Sequence, residues 1–155
     1  TTEIYTLSLH DALPISIEYE LYQFFGDRFL FKYIGEKHSE SDTIDFEIGS
    51  IFHNYNLTKD MYLDAAKSFS FRPPFNDFYT LISSEFDSIT IGNLNGIFVK
   101  YKYFNKMMNR SGEAIEYILF SANRIYFLRS KIHSDNCSQY YKSIYNAFDS
   151  FKLTF

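Results

Sequence analysis

The stretch ITIGNLNGIFVKYKYF, residues 89–104, decides the fold class. Two runs of β-branched and aromatic residues, 89–91 and 97–104, flank the segment 92–96, in which Gly and Asn predominate. β-Branched and aromatic side chains favour strands, and Gly and Asn favour the tight turns that join neighbouring antiparallel strands. The stretch therefore predicts a β-hairpin.

Similar patterns of strand and turn lie on both sides of this hairpin. Downstream, 114–120 and 125–132 are rich in apolar and aromatic residues and flank a turn at 121–124. Upstream, apolar and polar residues alternate with the period of two that is typical of half-buried strands, and the segments concerned are 17–21, 29–33 and 44–48. A further short strand is predicted at 78–83. Strands joined by short turns pair antiparallel, so we expect an antiparallel sheet of about six to eight strands.

A helix is predicted between the third and fourth strands. Thr58 can cap its first turn, and Met61, Ala65 and Phe69 recur at the spacing of one apolar helix face. Two prolines at 73–74 end the segment, because proline lacks the N–H group that a helix needs.

A second helix is predicted near the end of the sequence, with Ser134 or Asp135 as its cap. Its apolar residues recur at spacings of four and three: Cys137, Tyr141, Ile144, Phe148 and Phe151. Such a stripe must pack on a large apolar surface. The order of elements predicts an α+β fold in which helices pack on the faces of an antiparallel sheet, an α-β-α sandwich.

The first fifteen residues, TTEIYTLSLHDALPI, resemble a translated DNA-sequencing adapter rather than native protein. All fifteen codons in one reading frame of a universal adapter translate into this segment, and the leftover T fits the codon of Ser16. Non-native segments are set aside before a fold is predicted. We therefore expect residues 1–15 to be an artefact, and residues 16–155 to be a single α+β domain whose native N-terminus is missing. His10 and Asp11 then have no catalytic role.

The composition of residues 16–155 is typical of one domain that can bury a core. Its 17 acidic residues nearly balance its 15 basic residues, so it lacks the basic surface that nucleic-acid binding requires. No apolar run approaches the ~20 residues of a membrane-spanning helix. The single cysteine, Cys137, excludes an internal disulfide and a multi-cysteine metal site. The abundance of Phe, Tyr, Ile, Asn and Lys is typical of an AT-rich genome and indicates a bacterial protein.

The order of elements, the segment IGNLNG at 91–96 and the closing segment YKSIYNAFDSFK at 141–152 resemble the Mog1/PsbP-like family, which includes DcrB-type bacterial domains. The resemblance covers residues 17–153. It implies an α-β-α sandwich without catalytic residues common to the family. It also implies a binding or accessory role, since members of the family include photosystem assembly factors, a nuclear-transport partner and bacterial lipoproteins or chaperones.

The loop after the second predicted strand holds a dense group of polar side chains: Glu36, His38, Glu40 and Asp42. Carboxylates and a histidine this close together can bind a divalent cation, although a solvated loop is the commoner origin of such a group. His53, which follows the third strand, could act as a general base, but no nucleophile lies in a recognisable motif beside it. We therefore predict no catalytic, cofactor-binding or metal-binding residue.

Three further features have an ordinary structural explanation beside a functional one. Cys137 occupies an apolar helix position, where a buried, inert thiol is expected rather than a nucleophile. Glycosylation sequons begin at Asn56, Asn109 and Asn136, and we interpret them as accidents of an Asn-rich composition. The segment 100–110 combines basic and aromatic residues, as sites for single-stranded nucleic acid do, but it also fits a strand whose lysines face solvent.

The sequence therefore predicts a non-catalytic binding or accessory domain that engages a protein partner or a small ligand through a sheet face or a loop edge. It predicts no cofactor, no nucleic-acid partner and no membrane-spanning segment. The alternative is a small hydrolase-like enzyme that uses His53 or His38 with a nearby carboxylate. A pocket lined by aromatic residues and one of these histidines would favour the enzyme.

If residues 1–15 come from an adapter, selection has not shaped their contacts, and they should pack poorly on the domain. Deletion of residues 1–15 should leave the midpoint of thermal unfolding unchanged, which circular dichroism can measure. A loss of stability as large as that caused by emptying a core site, about 2–5 kcal/mol, would contradict the adapter interpretation.

Overall fold

The computed structural model describes residues 18–25, 28–52, 61, 64 and 78–151, without the side chains of residues 24 and 25. The strands are β1 (Tyr19–Phe25), β2 (Arg28–Tyr33), β3 (Thr43–Phe52), β4 (Tyr79–Ile91), β5 (Leu94–Asn105), β6 (Arg110–Phe120) and β7 (Arg124–His133). A 3-10 helix at Cys137–Tyr140 leads directly into an α-helix, α1, at Tyr141–Asp149. The predicted adapter segment lies outside the described residues, as does all but two residues of the helix predicted after Thr58.

The seven strands form one antiparallel sheet with the order β1-β2-β3-β7-β6-β5-β4. Two runs of consecutive strands, β1 to β3 and β4 to β7, are each joined by neighbouring pairings. The two runs meet where β3 pairs with β7 over ten residue pairs, from Thr43 opposite His133 to Phe52 opposite Arg124. This junction places β1 and β4 at the two edges of the sheet.

The hairpin between β4 and β5 turns where the sequence indicates. Ile91 pairs with Leu94 across a two-residue turn, and the first turn residue, Gly92, has a φ of +59°. Positive φ is accessible to glycine at little cost, and two-residue hairpins need it. Gly92 therefore adopts the turn conformation that the sequence predicts for this hairpin.

The prediction of an α-β-α sandwich is wrong, because the sheet dominates the described residues and, within 78–151, the one α-helix is the short α1 near the C-terminal end. One reason is that the strands are longer than their local patterns indicate. β4 runs for thirteen residues and joins the two separate strands predicted at 78–83 and 89–91. Polar residues such as Glu85 and Asp87 interrupt the apolar pattern there, and an edge strand tolerates them because it is open to water. No helix in the described ranges is long and apolar enough to cross a membrane.

One face of the sheet, here called the helix face, packs against α1. Its buried side chains alternate along β2, β3, β6 and β7: Phe29, Phe31, Ile44, Phe46, Ile48, Ile115, Tyr117, Leu119, Tyr126, Leu128 and Ile132. Phe148 of α1 is fully buried among them. Its ring lies 5.1 Å from that of Phe46 and 4.8 Å from that of Tyr117, measured between centroids. One aromatic side chain of α1 therefore bridges strands on both sides of β7.

The apolar stripe of the last helix differs from its prediction at one position. Cys137, Ile144, Phe148 and Phe151 are buried as expected, but Tyr140 is buried to 1% exposure while Tyr141 is only half-buried. The chain forms a 3-10 helix at 137–140, and a 3-10 helix repeats every three residues rather than every 3.6. The shorter repeat turns Tyr140, rather than its neighbour, toward the sheet.

The opposite face of the sheet has two chemically different halves. Over β5, β6 and the start of β7 it is apolar and buried: Ile97, Val99, Tyr101, Tyr103, Ala114, Ile118, Phe120 and Ile125. Over β2, β3 and the middle of β7 it carries ion pairs, among them Arg28 with Glu47 at 3.0 Å and Arg129 with Glu116 at 2.9 Å. The opposite face is therefore apolar over one half and carries ion pairs over the other.

Replacing Phe148 by alanine should lower the free energy of unfolding by about 3–5 kcal/mol, because it empties a buried site over β3 and β6, which are not neighbours in the sheet. Chemical denaturation followed by circular dichroism measures the change. Asn146→Ala, at an exposed position of the same helix, is the matched control and should change stability by less than about 0.5 kcal/mol. Equal stability of the two variants would contradict the placement of Phe148.

Candidate functional site

The polar loop between β2 and β3 ends at a buried carboxylate. Asp42 is 2% exposed. It accepts hydrogen bonds from the Tyr140 hydroxyl at 2.6 Å and from the Arg110 guanidinium at 2.9 Å. The same guanidinium donates to the carbonyl oxygen of Ser41 and lies 3.5 Å from the carboxylate of Asp135. Asp42 therefore fastens the loop to the start of β6 and to the C-terminal helix.

The surroundings of Asp42 keep it ionised. Burial alone raises the pKa of this carboxyl, but the hydrogen bonds from Tyr140 and Arg110 outweigh burial and hold the pKa below its usual value. Each oxygen of this carboxylate accepts a hydrogen bond from a distant part of the chain. The three side chains Asp42, Tyr140 and Arg110 have a structural role, and together they are called the Asp42 clamp.

The other polar residues of this loop do not converge with Asp42. Glu36, His38 and Glu40 are exposed. The backbone N–H of His38 donates to the Tyr140 hydroxyl at 2.9 Å, and the two rings lie 5.4 Å apart. In the described ranges no group of three or more His, Cys, Asp and Glu side chains is arranged to hold a metal ion.

The histidines occupy separate environments. The Nε2 atom of His133 lies 3.2 Å from the Tyr103 hydroxyl, and its Nδ1 atom lies 3.5 Å from the Thr43 hydroxyl. Burial lowers the pKa of His133, so the ring is neutral at pH 7. His53 lies outside the described residues. Within them, no hydrogen bond joins His38 or His133 to a carboxylate, as a hydrolytic pair would require.

Cys137 lies at the start of the 3-10 helix and is 8% exposed. Its sulfur lies 3.5 Å from the carbonyl oxygen of Ser134. Burial raises the pKa of the thiol to about 11, so it stays protonated at pH 7. A nucleophilic cysteine needs the opposite shift, so Cys137 is not an activated nucleophile in the cleft of about 290 Å³ that it lines.

The basic residues of segment 100–110 are engaged with other parts of the fold. Lys100 and Lys102 lie 3.8 Å and 3.6 Å from the carboxylate of Glu113, and the Lys100 ammonium is 4.1 Å from the centre of the Tyr141 ring. Tyr141 also donates a hydrogen bond to Glu113. An acid and an aromatic ring cover Lys100, but the Lys102 side chain is still 44% exposed and Lys106 is exposed. The expectation that these lysines face solvent therefore holds for Lys102 and Lys106 and fails for Lys100.

The outer edge of β4 is the most open feature of the sheet. None of its thirteen residues is buried, and Leu81 and Ile82 are 40% and 59% exposed. The pairing with β5 shifts register between Leu81 and Ser83, so Ile82 forms a bulge. In the described part of the chain no strand pairs with this edge.

The direction of the backbone groups on β4 follows from one contact. The backbone N–H of Ser88 donates to the side chain of Asp87 at 2.8 Å, so it points away from β5. Backbone groups of an antiparallel strand alternate in direction, and Ser84 and Thr90 therefore also point their N–H and C=O groups outward. These outward groups are what a further strand would bind.

Sequence reasoning missed both Arg110 and Tyr140 as partners of Asp42, and it missed the open edge. Arg110 and Tyr140 are 68 and 98 residues away from Asp42 along the chain, so no local pattern marks the contact. The edge position of β4 has one local signal, the polar residues at 83–88, which the sequence analysis interpreted as a break between two strands.

No family profile matches the chain, and no characterised protein matches it in sequence. A solved structure from Bacteroides thetaiotaomicron superposes with a TM-score of 0.54 at 14% identity, and the match covers 89% of this chain and 42% of that one. A protein of unknown function from Pseudomonas aeruginosa, whose description proposes a regulatory role, superposes with a TM-score of 0.50 at 10% identity. That match covers 88% of this chain and 98% of the other.

At these identities the similarity shows the fold alone. This chain spans less than half of the length of the Bacteroides protein. The resemblance to the Mog1/PsbP-like family stays a prediction, since neither solved structure carries a family assignment.

Replacing Asp42 by asparagine should destabilise the protein by about 1.5–3 kcal/mol at pH 7, the usual value of hydrogen bonds to a charged group. Tyr140 and Arg110 donate to different oxygens of Asp42, and in asparagine an NH2 group, which is a donor, replaces one of those oxygens. Because the pKa of Asp42 is lowered on folding, the difference from the unmodified protein should be complete above about pH 4. It should disappear as the pH falls through the lowered pKa.

Urea denaturation between pH 7 and pH 2 measures this difference. Glu40→Gln, at an exposed position of the same loop, is the control and should show almost no change. A difference for Asp42→Asn that does not shrink between pH 7 and pH 2 would contradict the proposed role of the charge.

Proposed function

We propose that this is a non-catalytic binding or accessory domain that engages a partner protein, and that the partner adds a strand to the outer edge of β4. The observation that carries the proposal is the openness of that edge over thirteen residues, none of them buried. An unpaired edge presents a row of N–H and C=O groups that another extended chain can bind.

The edge has only part of the usual protection against such pairing. Natural sheets block edge strands with proline, with lysine and other charges, with bulges or by keeping them short, and β4 has one bulge at Ile82 and the acidic residues Glu85 and Asp87. β4 contains neither proline nor lysine, and it is nearly twice as long as the other edge strand, β1, which has seven residues. Its pairing with β5 over almost its full length already orders its backbone, so binding a partner would cost little affinity for the ordering of β4.

The hydrolase alternative has less support. It needs a histidine beside a carboxylate and a reacting group, whereas the described histidines contact Tyr140, Tyr103 and Thr43. The regulatory role proposed for the Pseudomonas protein would be compatible with a binding function on the same fold.

The proposal predicts that peptides selected on the full chain from a random library bind the edge of β4. Ser84→Pro removes one outward N–H group and leaves the hydrogen bonds to β5 in place, because proline is tolerated where the N–H faces solvent. We expect it to weaken peptide binding by at least tenfold in isothermal calorimetry, whereas Ser84→Ala should bind as the unmodified protein does. Circular dichroism checks that both variants are folded.

Peptides that bind Ser84→Pro as tightly as Ser84→Ala would contradict the edge as the binding site. The enzyme alternative has its own test, the hydrolysis of p-nitrophenyl esters and phosphates. Hydrolysis above the buffer rate that is lost on His53→Ala or His38→Ala would overturn the non-catalytic proposal.

A further inference from the structure

The only charged residues on β4 are acidic and lie next to its middle. Glu85 and Asp87 are both exposed and, two residues apart, point to the same side of the strand, the helix face. In the described part of the chain no ion pair engages either of them. The nearest cation across the ladder, Lys100 opposite Glu85, directs its ammonium to Glu113 and to the Tyr141 ring instead.

A second copy of this chain is a poor occupant of the edge. Antiparallel pairing of two β4 strands over their full length, 79–91, would place residue 85 opposite itself. Glu85 would then face Glu85 of the other copy, with Asp87 diagonal to it. Like charges directly opposite each other destabilise a pair of strands. The edge therefore disfavours self-association and favours an occupant of the opposite charge.

We propose that the occupant is an extended segment of a partner protein with two basic residues that flank one apolar residue. This inference rests on the proposed function and adds the chemistry of the partner. The spacing follows from the strand period of two, since residues opposite Glu85 and Asp87 must also be two apart. The residue between them would lie opposite Phe86, whose ring packs at 6.1 Å from that of Tyr101 on the opposite face, and an apolar side chain suits that position.

The backbone of β4 reinforces this choice. Glu85 and Asp87 direct their own N–H and C=O groups toward β5, because Ser88 directs its groups outward. With an added antiparallel strand they would therefore form non-hydrogen-bonded pairs, in which opposing side chains are closer together. The outward N–H of Ser88 donates a hydrogen bond to the Asp87 carboxylate, and this bond must break when a strand binds. A basic residue on the incoming strand gives that carboxylate a new partner.

The test uses the full chain and three short peptides, blocked at both ends, that differ only in a central Lys-Val-Lys, Gln-Val-Gln or Glu-Val-Glu. We expect the Lys peptide to bind about threefold to tenfold more tightly than the Gln peptide, the range for two cross-strand charge pairs. We expect the Glu peptide to bind more weakly than both. The double variant Glu85→Gln/Asp87→Asn should lose the preference for lysine.

The matched control is Glu36→Gln/Glu40→Gln, which removes the same charge from exposed loop positions and should keep the preference. Equal binding of the Lys and Gln peptides, abolished by Ser84→Pro, would overturn the inference about charge and leave the proposed function standing. A preference for lysine that persists in Glu85→Gln/Asp87→Asn would also overturn it. Absence of binding by all three peptides would overturn the edge proposal and this inference together.

Discussion

The pairing of β3 with β7 is the interaction on which the described part of the structure depends. It is the one ladder that joins the first three strands to the last four. Its partners lie far apart along the chain, from 72 residues for Phe52 and Arg124 to 90 residues for Thr43 and His133. Such a non-local pairing costs chain entropy before it gains contacts. Two features next to this ladder stabilise it. Phe148 packs against β3 and β6, the strands that flank β7, and the Asp42 clamp lies at the end where Thr43 meets His133.

The same junction explains what the sequence could and could not predict. The hairpin at Gly92 was predictable because its Gly and Asn residues and its flanking strands are local. The partners of β3 were not, since Ile44, Phe46 and Ile48 alternate like any half-buried strand and would fit several neighbours. The contacts of Asp42 with Arg110 and Tyr140 depend on that same long-range junction. The α-β-α sandwich was wrong because an exposed edge strand with Glu85 and Asp87 has a pattern that resembles a loop between two short strands.

The acidic side chains of the sheet are of two kinds: those paired within the fold, and two that no ion pair engages in the described residues. Glu113 is engaged with two lysines and with Tyr141, Glu47 with Arg28, and Glu116 with Arg129. Buried or half-buried charges need such partners, since a lone charge away from water is costly. Glu85 and Asp87 differ, because they lie exposed on an edge that still has backbone groups to offer. The proposed binding function at β4 rests on the combination of an open backbone edge and two acidic side chains that no ion pair engages within the described residues.

Amide hydrogen exchange of the full chain, measured residue by residue by NMR, reports whether the outer edge of β4 is open. The proposed binding of a further strand depends on that openness. The account predicts that the outward amides of Ser84 and Thr90 exchange rapidly, whereas the amides of Glu85 and Ile89, which bond to β5, are protected. The amides shared by β3 and β7 should be among the slowest of all. Outward β4 amides as well protected as those of β7 would show that the edge is already covered and would contradict the account.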